Sequence, residues 1–181
     1  VSIDSRGLNT YRRLNTAGLL IATEPAKPAS EQQHLILQGG TNTRIVGQLS
    51  AAGLAQLGRV AINRAELVFS LDPDYGGTLE DFYPDLNGIF MYARAAGTNR
   101  EDSTSFRIDL SSTVNDAAGQ VVVDLTAYVQ DIITNRRENT GIVAVPPLRN
   151  ISFQRSIFAG TAHPNAALRP RLRIHYSELP E

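Results

Sequence analysis

Arg171-Leu-Arg-Ile-His-Tyr176 decides the reading of the fold: Leu172, Ile174 and Tyr176 alternate with Arg171, Arg173 and His175. Successive side chains of a strand point to opposite faces, so this stretch has one apolar face and one cationic face. The same period recurs upstream. Ala65, Leu67, Phe69 and Leu71 alternate with Arg64, Glu66, Val68 and Ser70, and Phe106, Ile108 and Leu110 alternate with Arg107 and Asp109. Val121, Val123 and Leu125 lead through Asp124 to Thr126. Half-buried strands of antiparallel sheets carry this pattern. Val60 and Ile62 fall on the opposite parity to Ala65 and Leu67, which predicts a β-bulge near Asn63. Further strands are expected at 19–23, 35–38, 43–48, 89–94, 142–145 and 151–158.

Two helical pieces interrupt the alternation. Around 49–58, Ser50 is a good N-cap, Leu49 and Leu54 have staple spacing, and Gly58 can close the C-terminus. From Thr126 to about Arg137, Val129, Ile132 and Ile133 share one face, and 139–141 end the run. Neither helix repeats as a βαβ unit. The expected fold is therefore all-β: a jelly-roll-like two-sheet β-sandwich with two short helices. Leu67, Phe69, Phe106, Ile108, Val123, Leu172 and Ile174 are its expected core. A polar, Pro-containing link at 24–31 divides the chain into an N-terminal strand or arm with its linker, 1–30, and the sandwich, 31–181.

Composition narrows the function. The 181 residues are 42% hydrophobic and 19% charged, which suits one folded domain and excludes disorder over the whole length. A net charge of −1 supplies no global field for nucleic acid or anionic lipid. No apolar run approaches the ~20 residues that a membrane helix needs. The absence of Cys excludes disulfides, thiolate catalysis and zinc–thiolate sites. Lys27 is the single lysine among 17 basic residues, an Arg bias that suits bidentate pairing and that a GC-rich genome also produces. The chain begins at Val1 with no leader-like segment, and the expectation is an exported or processed protein.

Several motifs occur in an order that carries a resemblance. Val121-Val-Val-Asp-Leu-Thr-Ala-Tyr-Val-Gln130, then Asn139-Thr-Gly-Ile-Val143, then Leu168-Arg-Pro-Arg-Leu-Arg-Ile-His-Tyr176 resemble the C-terminal half of DNRLRE-type β-sandwich modules. Leu37-Gln-Gly-Gly-Thr41 and Ala61-Ile-Asn-Arg-Ala-Glu-Leu67 are similar to a family of uncharacterised cell-surface lipoproteins of the Bacteroidota type, with Arg64 where Lys is usual. The resemblance spans roughly residues 35–176 and implies an extracellular or surface-anchored jelly-roll module. It implies polysaccharide binding for some DNRLRE-like modules and no catalytic residue. The lipoprotein anchor Cys is not in this sequence.

The richest candidate chemistry is the acidic loop 72–85. Asp72, Asp74 and Asp81 are the expected ligands for a calcium-like cation, because hard oxygen donors on a Gly-containing loop suit that ion. Tyr75, Tyr83 and Asp85 are the expected sugar-facing residues. The alternative is a solvated hairpin loop whose aromatics fold back onto the sandwich. Glu80 and Asp85 could be drawn as a glycosidase pair, but their spacing does not place two carboxyls across a cleft. His34, His163 and His175 are isolated in sequence, which suits structural or surface roles, although a triad can assemble from distant positions. The cationic row Arg169, Arg171, Arg173 and His175 reads as a cross-strand charge ladder or, alternatively, a site for an acidic polysaccharide.

The resulting expectation is a non-catalytic β-sandwich used for assembly or adhesion at a cell surface. Its partners would be other copies of itself or other surface proteins, joined through an arm containing Leu19, Leu20 and Ile21. Such an arm could alternatively complete its own sandwich. The competing expectation is a carbohydrate-binding module, which the absence of Trp and an aromatic share of 7% weaken.

Overall fold

The computed structural model describes residues 33–40, 43–55, 57, 59–73, 84–98, 100–102, 113–115, 119–147 and 154–178. Leu19, Leu20, Ile21, Asp74, Tyr75, Asp81, Tyr83, Phe106 and Ile108 lie outside the described residues. The elements run β1 (His34–Gln38), β2 (Ile45–Gly47), α1 (Ala51–Ala55), β3 (Val60–Ser70), β4 (Phe90–Ala93), β5 (Thr113–Asn115), β6 (Gln120–Asp124), α2 (Thr126–Ile133), β7 (Ile142–Val145), β8 (Arg155–Ala159) and β9 (Arg171–Glu178).

β3 organises the larger layer. It pairs antiparallel with β6 on one side and β9 on the other, in a four-stranded sheet ordered β5-β6-β3-β9. The β3–β9 register shifts between Ile62 and Arg64, which is the bulge that the parity change at Asn63 demands. Val60, Ile62, Ala65, Leu67 and Phe69 are all buried as a result. The ladders form three antiparallel sheets where the alternation suggests two. A bridge between Leu71 and Phe158, however, carries the β1–β8 pair along the same strand line as β3.

The second layer is the sheet β2-β7-β4. Its Ile45, Met91, Ala93, Ile142 and Ala144 pack with Leu67, Phe69, Val121, Val123 and Phe158 in one core, so the fold is an all-β sandwich. Phe69 and Phe158 meet with ring centroids 5.8 Å apart and tilted by 50°. Leu172 and Ile174 are only half-buried against this core, because β9 is an edge strand. The opposite face of the second layer is apolar too: Val46, Val143 and Val145 are buried and packed with Phe90 and Tyr92. Both faces of β7 are therefore dry, which explains its unbroken apolar run Ile142-Val-Ala-Val145.

The two helices close the ends of strands. At α1 the Ser50 hydroxyl accepts the Gly53 N–H at 3.2 Å, while Leu49 and Leu54 are buried. At α2 the Asp124 carboxylate accepts the Thr126 N–H at 2.8 Å. That helix stops at Ile133, short of the expected Arg137, because Asn135 takes a left-handed φ of 57°. Gly141 enters β7 with φ 99°, and a Cβ there would lie 2.6 Å from the Gly47 carbonyl oxygen, so only glycine lets the two strands approach.

Phe69→Ala is expected to destabilise the chain by about 3–5 kcal/mol, since it empties the space between the layers. Leu172→Ala should cost clearly less, because its side chain is only half removed from water. Urea denaturation of both variants checks this order, and a larger loss at Leu172 would place the core elsewhere.

Candidate functional site

Two features outside the core carry chemistry. The first is a buried carboxylate between two imidazoles. Asp72 follows the Leu71 bridge and donates its backbone N–H to the Ile157 carbonyl at 2.9 Å, which pins it against β8. Its side chain is 0% exposed. Oδ2 of Asp72 lies 2.5 Å from His34 Nδ1 and 3.5 Å from His163 Nε2. The His163 side chain is itself 2% exposed, and its Nδ1 accepts the Asn165 N–H at 3.2 Å. The same Nδ1 also lies 3.2 Å from the Asn165 carbonyl oxygen, so the backbone at Asn165 holds the ring whose Nε2 faces Asp72. The two rings stand edge to face with centroids 6.2 Å apart.

This cluster ties three segments together: the start of β1, the end of β3 and the loop after β8. Both imidazoles converge on the same carboxylate oxygen. Among the described residues no group of three His, Cys, Asp or Glu side chains is arranged to hold a metal ion. Asp72 is thus engaged by histidines, and Asp85 is exposed and accepts the Ser156 hydroxyl proton at 2.8 Å. The other expected ligands of the acidic loop, Asp74, Asp81, Tyr75 and Tyr83, fall outside the described residues. The His34–Asp72 contact joins positions 38 apart, and no short-range spacing could have announced it.

The second feature is the outer edge of β9. β9 ends the sheet order, and Arg171, Arg173, His175, Tyr176 and Ser177 are exposed. Tyr176, 46% exposed, is the exposed large hydrophobic side chain of the described residues. On the outer face Arg173 stands opposite Glu66 of β3 and pairs with it at 3.1 Å, while Arg64 reaches the same carboxylate at 2.5 Å. This is the cross-strand pairing expected of the cationic row. Arg171 stands opposite Val68, and His175 opposite Arg64, so across the β3–β9 ladder the row meets a carboxylate at its middle. Arg169 is diverted: its Nε donates to the His163 carbonyl at 2.7 Å.

Between the layers, near Gln48 and Pro170, Leu67, Phe69, Met91 and Ala144 line a cavity of about 50 Å³. Small-molecule sites usually occupy roughly 300–1,000 Å³, so this void is a packing gap and not a sugar pocket. On the far side of α2, the Tyr128 hydroxyl donates to the Gly141 carbonyl at 2.9 Å. Burial raises the Tyr128 pKa, against smaller opposing effects of Thr140, Arg137 and Gly141.

No family model and no curated protein matches this chain. No helix among the described residues is long and apolar enough to cross a membrane.

Asp72→Ala is expected to cost about 3 kcal/mol, because it removes the buried carboxylate that both imidazoles contact and unties the loop after β8. Chemical denaturation at neutral pH measures it, and a loss under about 1 kcal/mol would reduce the cluster to a minor contact. Tyr128 sets a second expectation. Its folded-state pKa lies above the unfolded value, so the unfolded chain releases the proton first and stability falls as pH rises beyond about 10. In an alkaline absorbance titration Tyr128 should ionise above the ordinary tyrosine range. Tyr128→Phe should remove this contribution to the alkaline loss, and an unchanged profile would contradict the assignment.

Proposed function

We propose that this chain is a non-catalytic β-sandwich of the extracellular face of a cell, joined to other proteins by strand addition along β9. The observation that carries the reading is the edge itself: an eight-residue strand, last in its sheet among the described residues, exposed along Arg171, Arg173, His175 and Tyr176. An unpaired edge presents alternate backbone N–H and C=O groups to any extended segment. The resemblance to DNRLRE-type modules and to surface lipoproteins supports the extracellular location and the jelly-roll connection of the strands. A polysaccharide-binding role is the second reading, favoured by the exposed Tyr176 ring.

Sedimentation of the purified chain over a range of concentrations tests the assembly reading. Self-association that Tyr176→Lys abolishes without lowering the melting temperature is the expected result, since an edge lysine blocks pairing while Tyr176 contributes little to the core. A chain that stays monomeric and is retained on an immobilised glycan through Tyr176 would favour the second reading instead.

A further inference from the structure

We propose that the β9 edge selects a partner strand in which acidic and apolar residues alternate, and that it rejects β9 of a second copy. This rests on the reading of β9 as a docking edge and adds the chemistry of what docks there. A strand laid along β9 continues the sheet, so its side chains line up alternately with the two faces of β9. On one face are Arg171, Arg173 and His175, all exposed. On the other are Leu172 and Ile174, which already pack against the core, followed by exposed Tyr176. Acidic side chains fit beside the first row, and apolar side chains beside the second extend the core outward.

Among the described residues, the charges around the edge are one-sided. Glu66 is shared by Arg64 and Arg173 and lies one strand inward. Asp124 lies a further strand away, opposite Glu66, and its carboxylate accepts from Thr126. Arg171 faces Val68 across the ladder, and its guanidinium donates to the Ala167 carbonyl at 3.4 Å, a neutral acceptor. His175 faces Arg64. The surplus of positive charge is local, because the whole chain carries −1.

The same geometry disfavours a two-fold dimer through β9. Antiparallel pairing about a two-fold axis normal to the sheet keeps each face on its own side. Arg171, Arg173 and His175 of one copy would then run along the same three residues of the other. Like charges opposed across strands destabilise the pairing. Where copies of this chain join at β9, the contact is head-to-tail and uses a different segment of the neighbour.

The test uses the full chain and three synthetic peptides of the length of β9: valine alternating with glutamate, valine alternating with lysine, and the β9 sequence itself. Isothermal titration calorimetry should show the valine–glutamate peptide binding about tenfold tighter than the other two, two reversed cross-strand pairs accounting for the gap. The gap should shrink at high salt. Arg171→Glu should narrow it too, with circular dichroism confirming the fold, since Arg171 is exposed and opposite Val68. Equal affinities for all three peptides overturn the selectivity and leave the docking edge standing. Tight binding of the β9 peptide overturns the rejection of a second copy. Binding to none overturns the docking edge together with this inference. Binding of polygalacturonate without the valine–glutamate peptide overturns the strand partner in favour of an anionic glycan.

Discussion

The fold depends on how β3 survives its own bulge. One extra residue at Asn63 lets Val60 and Ile62 join Ala65, Leu67 and Phe69 on the core face. Without it a continuous period of two would turn one group outward. A bulge also breaks the ladder and strands backbone donors, and α2 supplies their partners. The Ile62 N–H donates to the Gln130 side-chain carbonyl at 2.7 Å, and the Ala65 N–H to the Thr126 hydroxyl at 3.0 Å. The Leu125 N–H returns to the Ala65 carbonyl at 2.8 Å. The helix is thus the hydrogen-bonding complement of an irregular strand as well as a cover for the core.

From that strand the molecule divides into a locked end and an open side. At its C-terminal end β3 hands over to the Leu71 bridge and the Asp72 cluster, where half-buried His34 and buried His163 hold β1 and the loop after β8. Along its flank it carries β9, whose far edge has charged outer side chains and a half-buried inner row. Charges on an edge strand guard against indiscriminate pairing. A charged edge with a set pattern also discriminates among strands that approach it, because wrong pairs cost as much as right ones contribute.

Much of this was legible in the residues. The alternation of Arg171 to Tyr176 and of Arg64 to Leu71 identified β9 and β3, and the parity break at Asn63 located the bulge, because side-chain period is a local property. Ser50 marked the start of the first helix. The end of α2 was missed: Asn135 turns left-handed two residues after the last apolar position, Ile133, and the polar residues that follow carry no periodic signal of where a helix stops. β5 escaped as well: three residues give too short a run for periodicity to register.

The sequence by itself determined that β3, β6 and β9 are strands with one apolar face, and that the cationic row of β9 suits a ladder with carboxylates of a neighbouring strand. These follow from chemistry within a few residues. Only the tertiary structure decided that the carboxylate is Glu66, that Arg171 meets Val68 instead, and that β9 is the strand left at the edge. Only it brought His34 and His163 onto one carboxylate oxygen of Asp72. The reason is physical: strand order and loop closure set contacts between residues far apart in the chain, and isolated histidines and aspartates carry no periodic signal of the partners they will meet.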